Sequence, residues 1–272
     1  MKDLDEIKNT PIIINPWMIE QVGVDNSGPY KQAYPEMLVK PSNEPLVNVS
    51  EFGVVSSDYY LSEYLSGNRY LQKAVNQGLL WTSAYLRRSH VKRLQLVDSY
   101  LRSNELFLHI QSGWRDSSLQ QMIKQQFAEQ KGEEQANRLY APVIERAAPP
   151  PHATGAAFDL EIRSLVDGER QEIYCTFDNR QIYGAHELEA IVESNLKVSE
   201  ELHVRKAVEN RRILFHCLCS EGVVFHDKND LFTPHPGECW HFGDGDPLSA
   251  YLNKEPFARY GLAVPPFNGG VL

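Results

Sequence analysis

Pro149-Pro150-Pro151-His152-Ala153-Thr154-Gly155-Ala156-Ala157-Phe158-Asp159-Leu160-Glu161-Ile162 is the stretch that decides how this chain is read. Three successive prolines remove backbone donors and fix an extended backbone, so regular structure stops just ahead of His152 and its imidazole sits on a stiff loop. From Gly155 to Ile162 the pattern is that of a strand carrying Asp159. A carboxylate within Ala-Ala-Phe-Asp-Leu is costly to bury unless it is paired or bound to a metal. Taken alone, His152 beside its prolines reads as a surface or hydrogen-bonding residue. The Asp in an apolar strand, with Gly155 allowing close approach of backbone, makes the pair a candidate site.

A second segment, Glu238-Cys239-Trp240-His241, completes the inventory. The two segments together offer two imidazoles, one carboxylate able to ligate a metal and another able to act as a base. A catalytic zinc takes three protein ligands from His, Asp, Glu and Cys and leaves a position for water. Glu238 and His241 follow Pro236-Gly237 and are able to converge from a turn or a single helical turn, whereas in a plain strand they face opposite ways. Their plain alternative is an exposed loop Glu and a core His beside Trp240. His226 and His235 fit no ligand spacing and read as solvent-exposed or supporting residues.

The remaining chain predicts one α+β domain: a mixed, mainly antiparallel sheet with flanking helices, since helix and strand patterns intermix without strict alternation. Residues 1–55, rich in Pro, Asn and Ser, read as an irregular N-terminal arm, and 56–272 as the domain. Apolar residues recurring at three and four from Leu71 to Arg102 predict an amphipathic helix, followed by a buried strand at Leu106–Ile110. Polar helices are expected over Ser117–Gln130 and beyond Gly132, strands over Gln171–Phe177, Val223–Phe225 and Cys239–Phe242, and a long helix from Ser199 to Cys219.

Composition narrows the class. The 272 residues are 42% hydrophobic and carry a net charge of −9, which argues against nucleic acid or an anionic membrane as a partner. The one basic stretch, Arg87 to Arg93, reads as the polar face of a helix. No run approaches the ~18 apolar residues of a membrane span. The four cysteines form no CxxC pair, and the acidic N-terminus with its short Pro11-Ile12-Ile13-Ile14 run lacks the makings of a signal peptide, so a cytoplasmic protein is expected.

The order His-x-x-Gly-x-Ala-x-Asp, then Glu-x-Trp-His, resembles the zinc D-alanyl-D-alanine metallopeptidases, the family of the VanX-type D,D-dipeptidases and VanY-type D,D-carboxypeptidases. Flanking stretches are similar to the dipeptidase branch: Phe107 to Arg115 ending Ser-Gly-Trp-Arg, Glu172 to Asp178 ending Cys-Thr-Phe-Asp, and Asn210-Arg211-Arg212-Ile213-Leu214. The resemblance covers roughly Tyr59 to Leu252. It implies that His152, Asp159 and His241 bind one Zn2+ per chain, that Glu238 is the general base, and that Arg115 stabilises charge on the substrate carbonyl. It also implies that Glu172 stands where a carboxylate receives the substrate ammonium. The chain departs from the pattern at Pro150, where the family has Ser, at Asp116 for Pro, at Ser112 for Asp and at Tyr174 for Gly. His2Asp ligands also suit Co or Mn.

The expectation is therefore zinc-dependent hydrolysis of D-alanyl-D-alanine or a similar small peptide, in peptidoglycan metabolism. A D,D-carboxypeptidase or another cell-wall peptide hydrolase is the alternative within enzymes. A catalytically inactive zinc-binding module is the alternative outside them. Oligomeric state is not legible.

Overall fold

The computed structural model describes residues 2–23, 26–40, 42–64, 69–140, 148–177, 180–194 and 201–264. Asp178, the start of the helix expected at Ser199, and the last eight residues of the chain lie outside them. The fold is α+β, as expected. Its frame is a mainly antiparallel five-stranded sheet in the order β2-β4-β5-β9-β8: β2 Val55–Ser56, β4 Leu106–Ser112, β5 Ala157–Ser164, β8 Thr233–His235 and β9 Glu238–Gly243. Only β2 runs parallel to its neighbour. Two antiparallel pairs stand beside this sheet, β1 (Leu46–Asn48) with β3 (Tyr85–Arg87), and β6 (Cys175–Phe177) with β7 (Arg180–Ile182).

Alternation along the central strands separates core from site. Leu108 and Ile110 of β4, Phe158, Leu160 and Ile162 of β5, and Phe242 of β9 face a core shared with two helices. The helix Arg88–Arg102 contributes Val91, Leu94, Val97 and Leu101, and the helix Leu202–Cys219 contributes Ile213, Leu214, Cys217 and Leu218. These are the three-and-four spacings that put one helical face inward. The opposite sheet face carries Ser112, Asp159 and His241 and opens into a cavity.

Several expectations are corrected in detail. The helix foreseen from Leu71 to Arg102 is two helices, Arg69–Asn76 and Arg88–Arg102. Gly78, in the left-handed region at φ +66, turns the chain away after the first, and Tyr85–Arg87 is captured as β3 by pairing with β1. Of Gln171–Phe177 only Cys175–Phe177 finds a ladder partner. Val223 and Phe225 enter the core from a turn rather than a strand, closed by Gly222 (φ +83), whose N–H donates to Phe225 O at 2.8 Å. The polar helices are present as Ser117–Lys131 and Glu133–Leu139, parted by Gly132 (φ +93).

The N-terminal segment is irregular, as expected, with short helices at Leu4–Lys8, Pro16–Val22 and Tyr30–Ala33. It is not a surface arm. Ile7, Ile12, Ile14, Val49 and Val54 lie in the main core. The buried ion pair Glu189–Arg212 (2.7 Å) clamps it, Glu189 Oε1 accepting from Ile12 N–H at 3.1 Å and Arg212 donating to Lys8 O at 2.8 Å. Frequent Pro and Asn shorten its helices without preventing burial of the apolar residues between them.

Candidate metal centre

His152 is held by the 3-10 turn Pro151–Thr154, which begins at the fixed φ of proline and ends at Gly155 in the left-handed region (φ +69). A Cβ at Gly155 would stand 2.1 Å from Leu46 Cδ2, so the residue must be small as well as left-handed. His152 Nδ1–H donates to Gly113 O at 2.8 Å. That bond fixes the tautomer and turns Nε2 toward Asp159, 3.4 Å from Oδ2.

Asp159 and His241 are direct partners in the β5–β9 ladder, and His241 Nδ1 lies 3.0 Å from Asp159 Oδ1. The three side chains offer ligand atoms all within 4.8 Å of one another. The two imidazoles approach different oxygens of Asp159, His152 Nε2 at 3.4 Å from Oδ2 and His241 Nδ1 at 3.0 Å from Oδ1, so the group is compact. The buried His152–Asp159–His241 group is thus able to hold a metal ion.

Glu238 reaches the same cavity through a break in the β8–β9 ladder. Its register shifts between Pro234↔Phe242 and His235↔Glu238, and Cys239 N–H instead bonds Tyr183 O at 3.0 Å. Strict two-residue alternation is suspended there, so Glu238 and His241 both line the cavity while Cys239 and Phe242 enter the core. The plain alternatives for these two residues, an exposed Glu and a core His, therefore do not apply. A second shift, between Ile110 and Ser112 on β4, lets Gln111 and Ser112 both line the wall.

Arg115 is buried at the cavity floor. Its terminal nitrogens donate to Gln120 Oε1 at 2.5 Å and Ser112 Oγ at 2.9 Å and approach Asp159 Oδ2 at 3.5 Å, while the Tyr60 ring lies 4.7 Å away. Its backbone N–H bonds His152 O at 3.2 Å, tying base of turn and guanidinium together. Gly113 permits this path, because a Cβ there would lie 2.5 Å from Tyr85 O.

Charge follows geometry. Burial, against the pull of Asp159, pushes the His152 imidazole down to about 4, leaving it neutral as a ligand must be. Burial acts likewise on His241, but its bond to Asp159 and the charges of Asp159 and Glu238 outweigh it and raise the imidazole. Burial would raise Asp159 too, and the two imidazoles overcome it, holding the carboxylate ionised. Glu238 is raised chiefly by burial, which brings a carboxylate toward the range of a general base.

Glu172 is not brought to this cavity. It is exposed, and its Oε1 accepts the Tyr174 N–H at 2.6 Å in a local turn. The expectation that it receives a substrate ammonium is corrected accordingly, because Arg170 and Tyr174 on either side of it line the wall instead. His226 is exposed, as read. His235, read as a supporting or exposed residue, is buried and lines the cavity, its ring 5.5 Å from His241 and 5.7 Å from Tyr30. The Pro236-Gly237 dipeptide was the signal for it, since a two-residue hairpin sets 235 opposite 238.

Residues of the N-terminal segment were missed altogether. Asn26 Nδ2 donates to Glu238 Oε1 at 2.9 Å, and Tyr30 and Tyr34 form part of the wall. Asn26 occupies the left-handed region (φ 59), and a Cβ at Gly237 would lie 1.8 Å from its Oδ1. Asn26 and Gly237 therefore fit together only because neither carries more bulk there. The whole cavity measures about 450 Å³, within the ~300–1,000 Å³ of pockets that enclose small ligands.

No protein-family model matches the chain, and neither does any curated protein. Among the described residues no helix is long and apolar enough to cross a membrane, and all four cysteines are free thiols.

Proposed function

We propose that the chain is a zinc-dependent hydrolase of small peptides, acting on D-alanyl-D-alanine or a similar dipeptide. The observation that carries this reading is that His152, Asp159, His241, Glu238 and Arg115 converge on one cavity from three separate parts of the sequence. A structural metal needs neither a buried carboxylate beside it nor a guanidinium, so this set favours catalysis over an inert binding module. The sequence resemblance supplies the substrate class and, with it, peptidoglycan metabolism inside the cell as the setting.

His152, Asp159 and His241 would hold the zinc ion, which would supply Lewis acidity to lower the pKa of a water and polarise the peptide carbonyl. Glu238, steadied by the Asn26 amide on Oε1, takes the proton from water on its other oxygen and delivers it to the leaving amine. Arg115, fixed by Ser112 and Gln120, puts permanent positive charge beside the metal ligands, where oxyanion charge develops. Tyr30, Tyr34, Tyr60, Tyr174 and Tyr183 line the walls of the cavity in which these groups act.

A specific observation favours a second reading, removal of the last residue from a longer peptide. Glu172 stands outside the cavity, so it gives a free dipeptide no ammonium partner there. The test is hydrolysis of D-Ala-D-Ala, L-Ala-D-Ala, L-Ala-L-Ala and a stem pentapeptide by purified protein, with metal content measured in parallel. Chelator-sensitive release of D-alanine from the D,D-dipeptide is expected. Cleavage of the pentapeptide alone selects the second reading, and no turnover by a protein carrying one zinc removes both.

A further inference from the structure

Beside His241 stands a buried carboxylate that the proposed chemistry does not use. Asp246 is 1% exposed. Its Oδ1 caps the helix Pro247–Leu252, accepting from Leu248 N–H at 2.9 Å and Ser249 N–H at 3.1 Å. Its Oδ2 has no hydrogen-bond partner among the described residues. A buried carboxylate oxygen left bare is costly, and such an atom in a folded protein calls for a bound water or ion.

Gly243 gives that oxygen a direction. His241 and Gly243 stand two apart on β9, both in regular register with β5 (Asp159↔His241, Ala157↔Gly243), while Phe242 between them enters the core. They therefore share the site face, about 6.6 Å apart. A Cβ at Gly243 would meet Asp246 Oδ2 at 2.2 Å. The oxygen thus takes the place of the missing side chain, on the face that carries the His241 ring. Asp246, Gly243, His241, His235 and Thr233 together line a second cavity of about 10 Å³, the room of a single water.

The groups around this space are donors. His235 Nδ1 accepts the Gly237 N–H at 3.2 Å, which leaves the ring proton on Nε2, and burial holds the imidazole neutral. Thr233 Oγ1 accepts from Asn253 Nδ2 at 2.7 Å, which leaves its own proton to give. His241 turns Nδ1 to Asp159, so its Nε2 points away from that carboxylate. A histidine that ligates through one nitrogen carries its proton on the other, where a carboxylate, carbonyl or water receives it. Burial acts first on both groups, raising the Asp246 carboxyl and opposing ionisation of His241; beyond it, each favours the charged form of the other.

We propose that the small cavity binds one water, held by Asp246 Oδ2 and the His235 and Thr233 donors, and that through this water Asp246 receives the Nε2 proton of His241 and orients that ring for the metal. Asp246 is thus a positioning residue, and Gly243 is the residue that leaves room for its carboxylate. The inference rests on the metal group and not on hydrolysis.

The experiment compares the full wild-type chain with Asp246→Asn, whose amide oxygen keeps the helix cap while its nitrogen puts a donor among donors. Zinc affinity by chelator competition is expected to fall about 10- to 100-fold, the usual effect of losing the outer partner of a ligand. With Co2+ in place of zinc, the visible absorption bands should shift as the ligand ring turns. The denaturant midpoint of the metal-free variant should not fall, since a bare buried charge has been removed. A merely structural role gives the reverse, a lower midpoint with zinc affinity and cobalt spectrum unchanged, and that result overturns the proposal. A high-resolution crystal structure of the wild type tests it without any variant: an ordered water within about 3.2 Å of both Asp246 Oδ2 and His241 Nε2 is expected, and a dry cavity overturns it. If the wild type binds neither zinc nor cobalt, the metal group and the role of Asp246 fall together. If it binds zinc, with the affinity loss in Asp246→Asn, but cleaves no peptide, the hydrolase reading falls and this one stands.

Discussion

Asp159 and Glu161 are the same chemical group, two residues apart on one face of one strand, in opposite surroundings. Asp159 looks at two imidazoles and an open cavity, with its nearest guanidinium at 3.5 Å. Glu161 is closed in by two arginines, a glutamine and a histidine and has no exposure. Imidazoles lend a carboxylate neutral donors that accept a metal, whereas guanidiniums satisfy it and exclude one. Partner identity, not the strand, separates the two roles.

The sharpest way to break this contrast is to remove each carboxylate in turn. Asp159→Ala should abolish hydrolysis and weaken zinc binding by more than about 100-fold, the upper range for losing merely a partner of a ligand. Zinc competition titrations and turnover assays read both. Next in size, Glu238→Gln should keep zinc and lower kcat by about 10^2- to 10^4-fold, the usual worth of a general base. Retained turnover in that variant would remove Glu238 from the chemistry.

Glu161→Gln should show the reverse profile: zinc affinity within about threefold of wild type, but folding weakened by roughly 3 kcal/mol. That is the low end for a broken buried pair, because Arg163 and Arg170 keep some water contact, with 33% and 36% of their side chains exposed. Denaturant unfolding of the metal-free protein measures it. A smaller effect belongs to Asn26→Ala and Gly237→Ala, each expected to lower kcat about tenfold at constant zinc by releasing Glu238 Oε1 from the Asn26 amide. The two together should cost little more than either, since they break one contact.

The gentlest probe is pH. His241 must be unprotonated to ligate, and in the metal-free protein Asp159 and Glu238 raise its pKa despite burial. Zinc affinity should therefore begin to fall at a higher pH than the usual imidazole value of about 6.5, by up to about tenfold per pH unit for this proton. A chelator-competition series across pH checks the onset; an onset below that of a free imidazole contradicts it.

What was legible in the sequence follows from this contrast. A carboxylate in an apolar strand after a proline-stiffened histidine announces a site, because burial without a partner is prohibitive. Arg115 and the order of the two motifs were equally readable. The convergence of Glu238 and His241 was legible through the resemblance and not through spacing, because it depends on a ladder shift that alternation rules do not contain. Asn26, Tyr30 and Tyr34 escaped because short helices punctuated by Pro and Gly resemble a loose arm when their burial against distant strands is unseen. Glu172 was misplaced for the converse reason: likeness of a short motif fixed its neighbourhood, but a local turn directs its carboxylate to its own backbone.

The partner strand of Asp159 comes late. Asp159 is synthesised 82 residues before His241, an interval of about 4–16 s at ~5–20 residues per second. Throughout it β5 can pair with β4 but not with β9, leaving the centre of the future sheet as an unprotected edge flanked by Phe158, Leu160 and Ile162. Such an edge invites pairing with a foreign strand. It also means that a nascent chain holds two of the three residues able to hold a metal ion, so the full set awaits the strand that shields this edge. Completion of the candidate metal group and protection of this edge are thereby joined in a single late step of chain synthesis.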